Sequence, residues 1–516
     1  GFEKMRVAVH IEPNHLIEHL QKMVAPAAKI KSDSRQIKLG DIFFAYPVGH
    51  GKALRDGRLY IAAALESGAK AVVYDPTDMD DQFEGHPQCF AVQNLAKYAG
   101  VISAQWYGNP SLDLNVVGVT GTNGKTSITQ WIAQALDTPT QRAAVIGTLG
   151  AGLSGSLIQT GYTTPDAPTL QTQLSSLRDQ GAKQLAIEVS SHALDQERIA
   201  GLNINCAVFS NLSQDHLDYH ANMGEYAQAK AKLFTQPGLK NVVLNMDDPF
   251  GRELAMQALT RNTVNVWGYG LDQSTFQGFE KFGDRLQRVH AKDMVMSSNG
   301  YDAVFVYEGH GSQALHIPVI GEFNVSNCLA VFAVLLSQGL DIAEASKRIS
   351  KLKPVIGRME LVQLNKAGPL VIVDYAHTPD ALEKVLNTLR PIADQRQGKL
   401  WCVFGCGGDR DINKRPQMGR VVEQFSDEVI ITSDNPRSED PQAIIDMIRS
   451  GMGASVSKAQ IIIDRAAAIM SAVRHAKEAD VVLVAGKGHE STQEINGKKF
   501  DFSDQEHILL AAGGVI

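Results

Sequence analysis

Cysteine is scarce in this chain, with five among 516 residues, at positions 89, 206, 328, 402 and 406. The number is odd and the positions are scattered. Cys402 and Cys406 are too far apart for a C-x-x-C pair, and nothing nearby completes a zinc pattern. A disulfide scaffold is excluded, and buried free thiols in a reducing cytosol are the expectation. Long hydrophobic runs are missing too. The longest, Cys328-Leu-Ala-Val-Phe-Ala-Val-Leu-Leu336, is too short to span a bilayer and reads as a core helix. No secretory signal is evident, so a cytoplasmic protein without a membrane partner is expected. Strong charge of one sign is absent as well: 49 Lys and Arg against 56 Asp and Glu leave −7. That balance argues against nucleic acid as a partner. There is no internal repeat and no low-complexity tract.

What is present is an ordinary globular composition, 44% hydrophobic and 20% charged, in a length that suits two to four domains. Three regions emerge. Residues 1–112 hold strand-like runs at 41–46, 69–74 and 89–93, closed by the turn Gly108-Asn-Pro-Ser111. Residues 113–352 alternate strand and helix, with strands expected at 114–120, 143–149, 184–190, 205–211 and 241–245. Residues 266–318 break that rhythm and are expected to add antiparallel strands before a helix near 324–338. Residues 353–516 alternate again, with strands expected at 370–374, 399–405, 428–432, 460–463 and 481–485. The expected class is α/β in three domains. A small N-terminal α/β domain precedes a central, mainly parallel sheet, and a doubly wound, Rossmann-like domain ends the chain.

The most informative stretch is Gly121-Thr122-Asn123-Gly124-Lys125-Thr126. It follows the apolar run 114–120 and precedes residues 127–136, whose apolar positions recur at helical spacing. A glycine-rich turn from strand to helix cradles phosphate. Backbone N–H groups and the helix N-terminus face the anion, lysine neutralises it, and the Thr126 hydroxyl can reach Mg²⁺. Walker A would require glycine where Val119 stands, so the shorter G-T-N-G-K-T form is a signal in itself. Glu188 closes another apolar strand, where a carboxylate beside Thr126 suits Mg²⁺. The loop Asn211-Leu-Ser-Gln-Asp215-His216-Leu-Asp218-Tyr-His220 adds two carboxylates and two imidazoles at a strand end. By spacing alone, Lys230 and Lys232 read as a solvated helix face.

These segments, with Glu188-Val-Ser-Ser-His192, Tyr226-Ala-Gln-Ala-Lys230, Gly321-Glu-Phe-Asn324-Val-Ser-Asn327, Gly357-Arg358-Met-Glu360 and Asp374-Tyr-Ala-His377-Thr-Pro379, resemble the Mur ligase family along essentially the whole chain, its MurE type most closely. The resemblance implies an ATP-dependent, amide-forming ligase of cytoplasmic peptidoglycan precursor synthesis. It would add meso-2,6-diaminopimelate to UDP-N-acetylmuramoyl-L-alanyl-D-glutamate through an acyl phosphate. Residues 1–112 would bind the UDP substrate, 113–352 ATP, and 353–516 the amino acid. A monomer is expected.

The same resemblance implies the site residues. Gly121, Thr122, Asn123, Gly124, Lys125, Thr126, Ser127, Asn324, Arg358 and Asp374 would contact ATP. Thr126 and Glu188 would hold one Mg²⁺. His216 and Lys230, the latter carbamylated by CO₂, would hold a second. Ser34 and His50 would face the uridine diphosphate, and Thr163, Thr164, Ser190, Gln196 and Arg198 the muramoyl-dipeptide. Asp434-Asn435-Pro436-Arg437 would mark diaminopimelate rather than lysine, with Arg410, Gly486 and Glu490 completing that pocket. The chemistry agrees with this selectivity: Arg437 can grip the distal carboxylate while Asp434 meets the ammonium. Three rivals stand beside this reading: a folylpolyglutamate synthase-like ligase; a P-loop kinase or switch, which would leave residues 353–516 unexplained; and a binding module that kept the fold and lost activity, against which the intact set Lys125, Glu188, His216 and Lys230 argues.

Overall fold

The computed structural model describes residues 10–49, 51–212, 223–297, 299–454 and 456–513. Contacts divide the chain into two compact units. One comprises residues 1–292, 304–313 and 326–349; the other comprises 293–303, 314–325 and 350–516.

The short apolar runs near the N-terminus form a four-stranded parallel sheet in the order Ile30–Lys31, Ile42–Ala45, Ala71–Tyr74, Cys89–Ala91. The strands Ile42–Ala45 and Ala71–Tyr74 are buried at every position, which is why they read as continuous apolar runs rather than alternating ones.

The central sheet has ten strands. Asn115–Thr120 lies in its middle, flanked by Ala182–Glu188 and Cys206–Phe209, and is parallel to both. Beyond Ala182–Glu188 come Arg142–Gly147 and the antiparallel edge strand Gly150–Leu153. The chain therefore leaves the middle strand for one side and later returns to the other. Such a reversal opens a crevice at the carboxyl ends of the strands, where ligands bind. Helix Ala167–Asp179 covers this sheet with Leu170, Leu174 and Leu177, spaced for a single helix face.

The parallel run extends further than the sequence predicts. Asn265–Gly270 is parallel to Asn241–Asn245 and to Leu286–Ser297. The crossover between Asn265–Gly270 and Leu286–Ser297 contains 3₁₀ turns, Gln273–Phe276 and Glu280–Arg285, instead of an α-helix. With no helical period to signal it, the repeat looked interrupted. The strands Gly300–Tyr307 and Gly311–Ile317 complete this edge.

The third sheet runs Glu360–Val362, Leu370–Asp374, Val481–Ala485, Leu400–Phe404, Glu428–Ile431, Gln460–Ile461, with only the first pair antiparallel. Alternate residues serve opposite faces. Ile372 and Cys402 pack with Leu382, Leu386 and Leu389 of helix Pro379–Gln395. Val371 and Val403 pack with Ile469, Ala472 and Val473 of helix Arg465–His475. That two-sided burial is the doubly wound arrangement. A hairpin, Thr492–Ile495 with Lys498–Asp501, turns at Asn496-Gly497, both in the left-handed region. The sequence reading placed no element there.

All five cysteines are free and buried, and burial alone pushes the Cys89 thiol up to about 12. No helix among the described residues is long and apolar enough to cross a membrane.

Candidate active site

The phosphate loop leaves the middle strand between two supporting strand ends. Gly121 has φ +142, and a Cβ there would lie 1.9 Å from Ser210 Oγ; Gly124 has φ +86, with Asn327 Oδ1 at 2.8 Å from the same imagined atom. Both glycines are therefore required by close approach as well as by backbone conformation. Thr122 N donates to Asn211 O at 2.8 Å and Asn123 N to Asn211 Oδ1 at 3.1 Å. Ser210 Oγ donates to Asn123 O at 2.6 Å. The loop is thus held open from the neighbouring strand. Helix Lys125–Leu136 begins directly after Gly124, which as N-cap has no side chain to offer, with Ser127 in its first turn. A helix start behind a glycine turn suits an anion, because its N–H groups and dipole face it. Lys125 Nζ donates to Gly121 O at 2.8 Å, beside that start.

Glu188 is 1% exposed. Its Oε1 accepts from Thr126 Oγ1 at 2.9 Å and Thr148 Oγ1 at 3.2 Å, and its Oε2 from Thr148 N at 2.6 Å. These donors are all neutral. A buried carboxylate with only neutral donors among the described residues, next to the hydroxyl at a phosphate loop, fits a hard divalent cation that takes oxygen ligands. Among the described residues, no group of three His, Cys, Asp or Glu side chains converges as a metal site. One carboxylate and one hydroxyl with substrate oxygens is how Mg²⁺ is commonly held. Gly147 leaves room for this carboxylate, since a Cβ there would meet Glu188 Oε2 at 2.0 Å. We expect Gly147→Ala to displace Glu188 and lower kcat about 100-fold while the protein still folds, as steady-state kinetics and circular dichroism would show. Unchanged kcat would remove Glu188 from the reaction.

Lys230 corrects the reading from spacing. It lies on helix Met223–Ala231 and is fully buried, whereas Lys232 is solvated beside Asp195. Its Nζ donates to Gly121 O at 2.9 Å, the same carbonyl that Lys125 reaches. Burial, and then the nearby Lys125 charge, pull the Lys230 pKa down to about 6. The amine is therefore largely neutral at pH 7. His216 and His50 lie outside the described residues.

The residues expected to meet the muramoyl-dipeptide come together. Thr163 Oγ1 lies 3.2 Å from Thr148 Oγ1, and Thr164 Oγ1 donates to Glu188 O at 2.8 Å. Ser190 N donates to Thr164 Oγ1, and Ser190 Oγ caps Ala193 N. Arg198 Nη1 donates to Thr164 O at 2.8 Å, while its Nε and Nη2 both bind Gln196 Oε1. Ser32 Oγ donates to Asp166 Oδ2 at 2.5 Å, bringing the loop that carries Ser34 to this cluster.

In the second unit, Asp374 accepts from Met359 N and Ala376 N, each at 2.8 Å, and burial raises its pKa. Arg358 lies 5.5 Å over the Tyr375 ring. Asn324 Nδ2 donates to Ile320 O at 2.9 Å. The 434–437 turn follows strand Glu428–Ile431. Asp434 and Asn435 are buried, and Lys487, fully buried, ion-pairs Asp434 Oδ1 at 3.2 Å and donates to Asn435 Oδ1 at 2.8 Å. Asn435 Nδ2 reaches Glu490 Oε2 at 3.5 Å; burial, then the Asp434 charge, raises the Glu490 pKa. Gly486, at φ +114, lets the chain pass Asp434 Oδ2. Pro436 O approaches Gly408 closely, and Arg437 and Arg410 flank Gly407.

Several residues of these clusters escaped the sequence reading. Thr148, Ser210 and Lys487 are examples. Thr148 and Ser210 directly follow strand ends, which was the available signal. Lys487 stands inside Gly486-Lys-Gly-His-Glu490, but a lysine there reads as surface.

The Mur ligase middle domain matches residues 119–335, and the Mur ligase, glutamate ligase domain matches 357–488. A UDP-N-acetylmuramoyl-L-alanyl-D-glutamate--2,6-diaminopimelate ligase of Ralstonia nicotianae is 48% identical over 99% of this chain and 97% of its own. A protein of the same name from a Janthinobacterium species is 45% identical over 94% of each. A solved structure of a ligase of that name aligns over 94% of both chains at 36% identity, with a TM-score of 0.68. With a phosphate loop at the middle strand, a buried Glu188 beside it and identity of this extent along its length, the chain belongs to the Mur ligase family.

Proposed function

We propose that the chain is an ATP-dependent, ADP-forming ligase that joins meso-diaminopimelate to UDP-N-acetylmuramoyl-L-alanyl-D-glutamate, in peptidoglycan precursor synthesis. One observation carries the choice of substrate. Asp434, Glu490 and Arg437 supply two carboxylates and a guanidinium around one turn, which match an ammonium and a carboxylate on the same carbon. A phosphotransferase or switch has no use for such a set. The near-full-length relatives of that name support the same reading over a folylpolyglutamate synthase.

In the proposed reaction, the D-glutamyl γ-carboxylate attacks the γ-phosphorus of ATP, and the bond to the ADP oxygen breaks. The amine of diaminopimelate then attacks the acyl carbon and expels phosphate. Lys125 and the first-turn N–H groups would bind the phosphate chain, and Asn324, Arg358 and Asp374 would contact ATP. Thr126 and Glu188 would hold one Mg²⁺; His216 and Lys230, the latter carbamylated, would hold a second. The bound ions would neutralise charge between two reacting anions. Burial of Lys230 as a neutral amine supports its reaction with CO₂, because only the neutral form adds CO₂. Ser34 and His50 would face the uridine diphosphate. Thr163, Thr164, Ser190, Gln196 and Arg198 would orient the sugar and its peptide, and Arg410, Asn435, Pro436 and Gly486 would complete the amino-acid pocket. The division 1–112, 113–352 and 353–516 would assign one substrate to each part, in a monomer.

Phosphate release from ATP, Mg²⁺ and the UDP-muramoyl-dipeptide tests this directly. We expect release with diaminopimelate, at least about 100-fold less with lysine, and none without an amino acid. Release independent of the amino acid would sink the ligase reading, and equal rates with lysine would sink the selectivity.

A further inference from the structure

The hairpin Thr492–Asp501 has no part in the reaction above, yet it is bonded along the whole 434–437 turn. Gln493 Nε2 donates to Asp434 O at 2.8 Å, and Glu494 N donates to Asn435 Oδ1 at 3.0 Å. Arg437 N donates to Glu494 O at 3.0 Å and Asn496 N to Arg437 O at 2.9 Å, forming a parallel bridge. Arg437 sits at φ +54, a region that non-glycine residues occupy when their surroundings hold them there. The hairpin's two backbone hydrogen bonds do so.

The side chains meet as well. Arg437 Nε donates to Glu494 Oε2 at 3.2 Å, and Nη1 donates to Gly408 O at 3.0 Å. Nη2 has no hydrogen bond among the described residues. A guanidinium carries five N–H donors in a planar fork. With Nε taken and one Nη1 proton used, the edge formed by Nη2 and the second Nη1 proton remains for a bidentate carboxylate.

We propose that Glu494 is a specificity-determining positioning residue, which fixes the rotation of Arg437 so that this edge meets the distal carboxylate of the amino acid. The inference rests on the assignment of Arg437 to the amino-acid pocket. Glu494 has two opposed effects on that carboxylate. It orients the guanidinium, which favours binding, and its own charge repels the incoming anion. A charge-assisted bond to a largely buried arginine outweighs repulsion across the width of the guanidinium in a partly solvated site.

Glutamine at 494 keeps an acceptor for Nε and loses the charge, so it separates the two effects. In the full-length enzyme with ATP, Mg²⁺ and the UDP-muramoyl-dipeptide, Glu494→Ala is expected to raise KM for diaminopimelate about tenfold. KM for ATP and kcat stay within about twofold. Glu494→Gln raises KM for diaminopimelate less than about threefold, and Arg437→Ala raises it about 100-fold. Glu494→Ala leaving KM for diaminopimelate unchanged, or lowering it, would overturn the proposal. So would an equal rise in KM for ATP with a lowered melting temperature, since that is a merely structural effect. An Arg437→Ala enzyme with normal KM for diaminopimelate would instead remove the pocket assignment, and the inference with it.

Discussion

Lys230→Ala is expected to lower kcat at least about 1,000-fold, with the fold retained. The amine is fully buried, shares the Gly121 carbonyl with Lys125, and is held neutral near pH 7 by burial and by that neighbouring charge. Burial and the Lys125 charge disfavour a cation in such a place, whereas a neutral amine can take up CO₂ and become an anion. The shortened side chain leaves space that a small carboxylic acid can enter, so millimolar acetate or propionate should restore part of the rate. Full activity of the variant, or a loss accompanied by unfolding, would defeat the assignment.

The same amine links stability to pH. Its ordinary pKa is 10.5 and its folded value about 6. Between these values the unfolded chain binds a proton that the folded chain does not, so its contribution to stability rises with pH through that window. Below about pH 6 both states are protonated and the burial penalty is complete. Urea unfolding of CO₂-depleted, metal-free protein should show this rise, and Lys230→Met should flatten it. An identical slope in the variant would mean that the amine stays charged in the folded protein.

Glu188→Gln is expected to lower kcat by about 1,000-fold as well, for a different reason. The amide has nearly the same shape. Its oxygen can accept from Thr148 N, and its NH₂ can face the hydroxyls of Thr126 and Thr148, which rotate to become acceptors. Stability should therefore change by only about 1 kcal/mol. What disappears is the charge, which the proposed cation requires. The Mg²⁺ concentration for half-maximal rate should rise steeply, while KM for diaminopimelate stays within about twofold. A variant with kcat within tenfold of the parent would exclude Glu188 from the metal site.

Much of the fold could be read from one-dimensional patterns because the physics behind them is local. Parallel strands buried on both faces need largely apolar runs, so 114–120 and 481–485 are legible in the sequence. The glycines at 121 and 124 announced a turn that no other residue could make. The crossover of 3₁₀ turns at 273–285 carries no helical period, so the sequence gives no sign that the parallel sheet continues through it. Helical spacing placed Lys230 and Lys232 two positions apart with nothing to distinguish them. One is buried against the phosphate loop and the other is solvated, because burial depends on which elements pack against that helix.

The sequence by itself determined the α/β class, the phosphate loop and the family, since strand periodicity, turn chemistry and motif order are all written along the chain. Only the tertiary structure decided that Thr126, Thr148 and Glu188 form one cluster, that Lys230 is buried against the phosphate loop, and that Glu494 holds Arg437 from 57 residues away. Each of these depends on desolvation or on distance between remote segments, and neither quantity exists until the chain has folded.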